Sequence, residues 1–208
     1  VCRLLLEKRF VGGCVPTLLV LVVQVDGLGG SEVFGLELGQ STLQQARQIL
    51  SSDGEISLFV TGDGQPVLEA YFERVFLSGL RADFVLVLAA DPTTLQGFYD
   101  RGSRISRTTD ITRKIELATD DQAAVAQLPI GSINYIPAAD LAEDLILKRF
   151  GEPAEKIQES ASDVTHWLYP QKGLSIGVNP TGKELFQYVQ PRQIDRLIEK
   201  LRQNHLVE

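Results

Sequence analysis

Gly151-Glu152-Pro153 is a helix stop that divides the C-terminal third of this chain. Glycine takes the left-handed conformation that closes a helix and proline cannot continue one. Leu141, Leu145 and Ile146, at helical spacing before that stop, therefore read as a helix capped by Asp140 and ended at Phe150. The pattern then changes period. Segments 154–159, 164–169, 174–178 and 184–189 read as an antiparallel meander, in which Leu174, Ile176 and Val178 alternate toward one face. Asn179-Pro180-Thr181-Gly182 supplies the tightest turn. An amphipathic helix from 191 to about 203, with Ile194, Leu197, Ile198 and Leu201 on its apolar stripe, closes an α+β unit.

The same order occurs earlier in the chain. Ser41 with Gln44 three residues on is a capping-box pair, and Leu43, Ala46, Arg47 and Leu50 give the following helix one semi-apolar face that Gly54 ends. Strands are predicted at 55–61, 67–76 and 84–90, with Gly62-Asp63-Gly64-Gln65 as a hairpin turn and Ser78-Gly79 as a break. Asp91-Pro92 opens a short helix over 93–99. Further strands are expected at 114–119 and 130–136. The expected fold class is α+β, with two helix-plus-antiparallel-meander modules in tandem, 31–119 and 120–208, and the helices packed on one face of each sheet.

The first thirty residues follow a different logic. Arg3, Lys8 and Arg9 precede an uncharged run from Phe10 to Val25, after which Asp26 and small glycines break the pattern. That is the order of a secretory leader, and the run is short against the roughly 20 apolar residues of a membrane span. Residues 1–30 read as a signal peptide, with cleavage expected between Gly27 and Ser31, or as an uncleaved anchor. A Leu- and Val-rich core segment is the third reading. Val11-Gly12-Gly13-Cys14 has the outline of a lipobox, but Glu7, Lys8 and Arg9 stand where its apolar stretch belongs. Cys2 and Cys14 are the only cysteines, so the folded part has no disulfide framework and no cysteine metal site. A formal net charge of −7 argues against an affinity built on nucleic-acid phosphates. The expected compartment is the periplasm or the cell envelope, with membrane proximity through the N-terminus.

The helix ended by Gly151-Glu152-Pro153, the strand Trp167-Leu168-Tyr169 and the turn before the last strand resemble the small outer-membrane lipoproteins of the BamE (SmpA/OmlA) type and the related β-lactamase-inhibitor-like modules. Phe34-Gly35-Leu36-Glu37-Leu38-Gly39-Gln40-Ser41 looks like the glycine-containing lead-in to the first helix of such modules. The likeness lies mainly in the C-terminal half, and the first half has Ser52-Asp53-Gly54 where the second has its Gly-x-Pro stop. It implies a helical pair packed on a short antiparallel sheet, and a module that acts by binding another protein. No functional residue of the family maps onto this chain.

Two constellations are candidates for binding. Arg101, Arg104, Arg107, Arg113 and Lys114 crowd one stretch of an acidic protein and could clasp a phosphate, a lipid headgroup or a partner's carboxylates. The alternative is a solvated β edge with Asp100, Asp110 and Glu116 as local partners. Trp167 and Tyr169 share a strand face and serve either as core or as an interface. Catalytic chemistry lacks a motif: the histidines are His166 and His205, and no Gly-x-Ser-x-Gly elbow presents a serine. Asp63, Asp120 and Asp121 lie in turn-like sequence, and Gly27-Leu28-Gly29-Gly30 lacks the helix of a dinucleotide site. The expected function is non-catalytic binding of another envelope protein, in an assembly-accessory or inhibitor-like role without cofactor or metal. The rival is a carrier of small anionic ligands, or a degenerate enzyme, using segment 101–114.

Overall fold

A computed structural model of the chain describes residues 23–25, 31–60, 64–77, 79–107, 112–160 and 162–206. Most of the expected leader, with Cys2 and Cys14, lies outside the described residues, as do Gly62, Asp63 and Asp110. The end of the apolar run forms strand β1 (Val23–Val25), which pairs antiparallel with β2 (Ser31–Val33), itself paired with β3 (Leu36–Glu37). Phe34 and Gly35 make the two-residue turn between β2 and β3, both at positive φ (56° and 79°) as a type I′ turn requires. Phe34 is therefore held in a conformation that ordinarily falls to glycine, asparagine or aspartate.

Helix α1 (Leu43–Leu50) begins one residue later than Ser41 predicts. Its cap is Thr42: the Gln45 amide donates to Thr42 Oγ1 (3.3 Å) and the Thr42 amide donates to Gln45 Oε1 (2.8 Å). Thr42 is fixed in an extended conformation by a bridge to Pro129, while the Ser41 hydroxyl accepts from the Glu37 amide. The chain then runs through β4 (Glu55–Val60), β5 (Pro66–Leu77), β6 (Leu80–Leu88), α2 (Pro92–Arg101), β7 (Arg104–Arg107) and β8 (Arg113–Glu116). Asp91 caps α2 by accepting from the Thr93 and Thr94 amides at 3.0 Å each. A short helix α3 (Gln122–Ala126), not expected from the sequence, precedes β9 (Ile130–Pro137).

Helix α4 (Glu143–Phe150) starts at Ala142 and not at Asp140. The Leu141 amide is taken by Glu184 Oε2 (3.0 Å), a partner forty-three residues away that local sequence could not supply. Gly151 ends α4 at φ 81°, as expected. The second meander is β10 (Glu155–Gln158), β11 (Thr165–Tyr169), β12 (Leu174–Val178) and β13 (Leu185–Val189), followed by α5 (Ile194–Leu206). Gly173, at φ 58° between β11 and β12, is required twice: a Cβ there would also overlap the Val189 carbonyl oxygen.

The fold is α+β. Where the sequence suggests two sheets, one per module, the described strands β4 to β13 form one ten-stranded antiparallel sheet in the order β10-β11-β12-β13-β9-β6-β5-β4-β8-β7, beside the small sheet of β1, β2 and β3. The join is β6 against β9, with Phe84 opposite Tyr135 and Leu86 opposite Ile133. One face carries the main core, where Leu58, Leu68, Phe84, Ile133, Trp167 and Tyr188 lie under Leu43, Ala46 and Leu50 of α1, Phe98 of α2 and Ile146 of α4. Helix α5 lies on the other face: Ile194 and Ile198 pack on Ile157 and Leu168, whose side chains alternate away from Trp167. The lead-in before α1 is sealed from the far end of the chain, since Gln190 Nε2 donates to the Leu38 carbonyl (2.6 Å) and lies over Gly39. No helix among the described residues is long and apolar enough to cross a membrane.

Candidate functional site

Strand alternation gives every residue of the central strands to one of two faces. Helices α1 to α4 take the face of Leu58, Leu68 and Leu86, and α5 reaches the other face only around β10, β11 and Val189. Over β4, β5, β6, β9 and β13 that second face is bare of any described element. Its side chains include Phe59, Glu69, Tyr71, Val85, Asn134 and Leu185, by the registers that set Glu69 opposite Ser57 and Val87, and Val85 opposite Tyr71 and Asn134. Among the described residues the exposed large hydrophobics are Ile49, Tyr71, Phe76, Leu145 and Leu185. Three of these five belong to the bare face: Phe76 at 73 % exposure, Tyr71 at 38 % and Leu185 at 36 %. Isolated exposed leucines are ordinary; here three exposed apolar side chains share one sheet face that no described element covers.

Toward the β4 end of this face is a cleft of about 180 Å³ lined by Glu55, Ser57, Phe59, Glu69, Tyr71, Val85 and Lys114. Glu69 is half-buried and, among the described residues, has no hydrogen-bond or ion-pair partner. Loss of solvent alone holds its carboxyl above the usual glutamate range. Tyr71 is likewise pushed up, first by lost solvent and then by the Asp83 and Glu73 carboxylates. The Lys114 ammonium is bonded to Glu55. A wider cleft of about 570 Å³ adjoins on the β8 side, sharing Glu55, Ser57 and Lys114 and lined further by Arg47, Glu116 and Thr119.

The arginine-rich segment is dispersed by the fold. Arg101 ends α2 and grips Asp121 through Nε and Nη2 at 2.8 to 3.1 Å, a bidentate pair twenty residues apart that raises the guanidinium further. Arg104 and Arg107 belong to the edge strand β7, and Arg113 is exposed on β8. Trp167 and Tyr169 are on the helix-covered face and buried. The Lys156 ammonium lies 3.9 Å from the Trp167 ring centroid, and the Tyr169 hydroxyl donates to the Gly151 carbonyl (3.0 Å).

His166 stands between two groups that a hydrolase could use: Nδ1 is 3.5 Å from Ser175 Oγ and Nε2 is 3.6 Å from Glu159 Oε1. The order Ser-His-Glu is that of a catalytic triad, yet both separations exceed the 2.6–3.2 Å reach of proton transfer. Ser175 is 1 % exposed, so its hydroxyl meets no solvent-borne substrate. Among the described residues no group of three or more His, Cys, Asp or Glu side chains converges as a metal site. Comparison of the chain with protein-family models, with curated proteins and with solved structures gives no match.

Glu69, Tyr71, Phe76 and Leu185 were not singled out by their sequence context. The signal was present in β5, where Val67 and Tyr71 place apolar groups on the face opposite Leu68, Ala70 and Phe72. Both parities being apolar marks a strand with two faces to cover.

Proposed function

We propose that this chain is an exported, envelope-associated, non-catalytic protein that binds another protein through the bare face of its sheet. In this reading the two helix-plus-meander stretches are BamE-like modules fused through β6 and β9 into a single sheet. The observation that carries it is the exposure of Phe76, Tyr71 and Leu185 along one sheet face that no described element covers. Export rests on the leader-like order of the first thirty residues. Processing between Gly27 and Ser31 would remove β1 and retain the turn that carries Phe34. The anionic-ligand reading of segment 101–114 has less support, because Arg101 is committed to Asp121 and Lys114 to Glu55.

The test is affinity capture from the native membrane fraction with the intact chain and with a Tyr71→Ser/Phe76→Ser variant, each first shown to melt at the same temperature. Proteins captured by the first and lost with the second are the expected result. An identical set from both overturns the bare face as the binding surface. Intact mass of the native protein reads the leader: retention of residues 1–26 overturns cleavage.

A further inference from the structure

We propose that the partner segment docking on the bare face carries a lysine or arginine side chain flanked by apolar residues, and that Glu69 receives its charge. This inference rests on the protein-binding reading of the same face. Glu69 is ringed by Phe59, Val67, Tyr71, Val85 and Val87, neighbours on its own strand and on β4 and β6, with Ser57 opposite. A carboxylate in such surroundings is poorly hydrated and, without a partner, destabilises its own fold. Its raised proton affinity is the thermodynamic trace of that cost.

The cation in reach is already committed. Lys114 lines the same cleft, but its ammonium is held by Glu55, leaving Glu69 as the uncompensated charge among the described lining residues. Phe59 and Tyr71 form aromatic walls at the cleft, a setting in which a guanidinium or ammonium gains from ring faces as well as from the carboxylate. Among the described residues lining the cleft, Glu69 is thus the acceptor that wants N–H groups, and an arginine- or lysine-bearing segment supplies them.

The occupant is a polypeptide and not a free amine because the uncovered face extends well past the cleft, where Ile136 and Leu185 alternate with Ser132, Asn134 and Gln187. It runs over five adjacent strands, β4 to β13, which at sheet spacing is roughly 20 Å, enough for a helix or a hairpin. On docking, water leaves the cleft and the Glu69 charge pair strengthens as the local dielectric falls.

The experiment uses the full chain and two acetylated, amidated peptides, Gly-Val-Ser-Arg-Ser-Val-Gly and the same sequence with neutral citrulline in place of arginine. Binding is read from two-dimensional NMR shifts of the Val67, Val85 and Val87 methyls and the Tyr71 ring. The arginine peptide is expected to bind roughly tenfold or more tightly than the citrulline peptide. In Glu69→Gln, which loses no internal partner and should fold, the two peptides bind alike. Equal affinities in the unmodified chain, or an arginine preference that survives Glu69→Gln, overturn the cation proposal while leaving the face as a protein-binding surface. No shift on this face with either peptide overturns both.

Discussion

Phe34 offers a prediction whose sign runs against intuition. Its ring sits among Phe84 (centroids 5.2 Å apart), Tyr135 (5.1 Å) and Tyr188 (5.9 Å), edge-on to the first and third. Its backbone is left-handed at φ 56°. Removing the ring leaves a cavity beside three aromatics. Because the ring is only partly buried, Phe34→Ala should fall at the low end of the range for such truncations, about 3 kcal/mol. The left-handed conformation strains phenylalanine and alanine alike by about 1 kcal/mol, a cost that glycine does not bear. Phe34→Gly should therefore destabilise by only about 2 kcal/mol and be the more stable of the two variants. In a chain of this size each kcal/mol shifts the melting temperature by roughly 2–4 °C, so Phe34→Ala should melt roughly 6–12 °C below the parent and Phe34→Gly roughly 2–4 °C above Phe34→Ala. Urea titration gives the same order as midpoint shifts at constant slope. A glycine variant no more stable than the alanine variant would refute the strained turn, and a loss under about 0.5 kcal/mol for either would refute the aromatic packing.

Other perturbations test other parts of the molecule. Because lost solvent raises the Glu69 carboxyl above the ordinary 4.5, the folded chain keeps that proton at pH values where the unfolded chain has released it. Stability conferred on the protonated form is lost as pH rises through the raised value, so Glu69→Gln should melt above the parent at pH 7 and lose its advantage below pH 4.5. A constant advantage at all pH values would separate the effect from ionisation. Gly173→Ala adds a Cβ against the Val189 carbonyl at positive φ and should destabilise by on the order of 3 kcal/mol; a neutral result in urea titration would mean the β11–β12 turn relaxes freely. Trp167→Ala should cost about 3–5 kcal/mol, since the indole is fully within the core, and a stable variant that loses its partner would instead put that ring at the interface. Residues 120–208 expressed alone lack β6 and should show no cooperative thermal transition by circular dichroism. A sigmoidal melt would make the second module an independent fold.

What local sequence could and could not reveal divides along physical lines. Strand β12 was read with its own bounds and the stop at Gly151 was placed correctly, because alternation and a left-handed cap are properties of a few adjacent residues. The caps at Ser41 and Asp140 slipped because partners far along the chain intervened: Pro129 bridges Thr42, and Glu184 takes the Leu141 amide. The single sheet was illegible for the same reason, since alternation says which face a residue takes but not which strand lies beside it. Arg101 stood out by composition, while the partner that engages it, Asp121, lay beyond the cluster. Glu69 had the opposite fate: one glutamate in an alternating strand is ordinary until Val87 and Tyr71 are known to surround it and no cation among the described residues to meet it.

The β6–β9 junction also bears on how such a chain reaches its final form. β6 is complete at Leu88, yet the strand that satisfies its outer edge begins only at Ile130. On a ribosome or a translocation channel, β4, β5 and β6 can assemble as a hairpin array while the amides and carbonyls along Ala82 to Leu88 wait for about 50 further residues to appear. During that interval the outer edge of β6 is open to any extended chain nearby. Aggregation during synthesis, and the benefit of a holding chaperone until β9 arrives, should therefore depend on the length of the stretch between Leu88 and Ile130 and the speed at which it emerges more than on the stability of the finished protein.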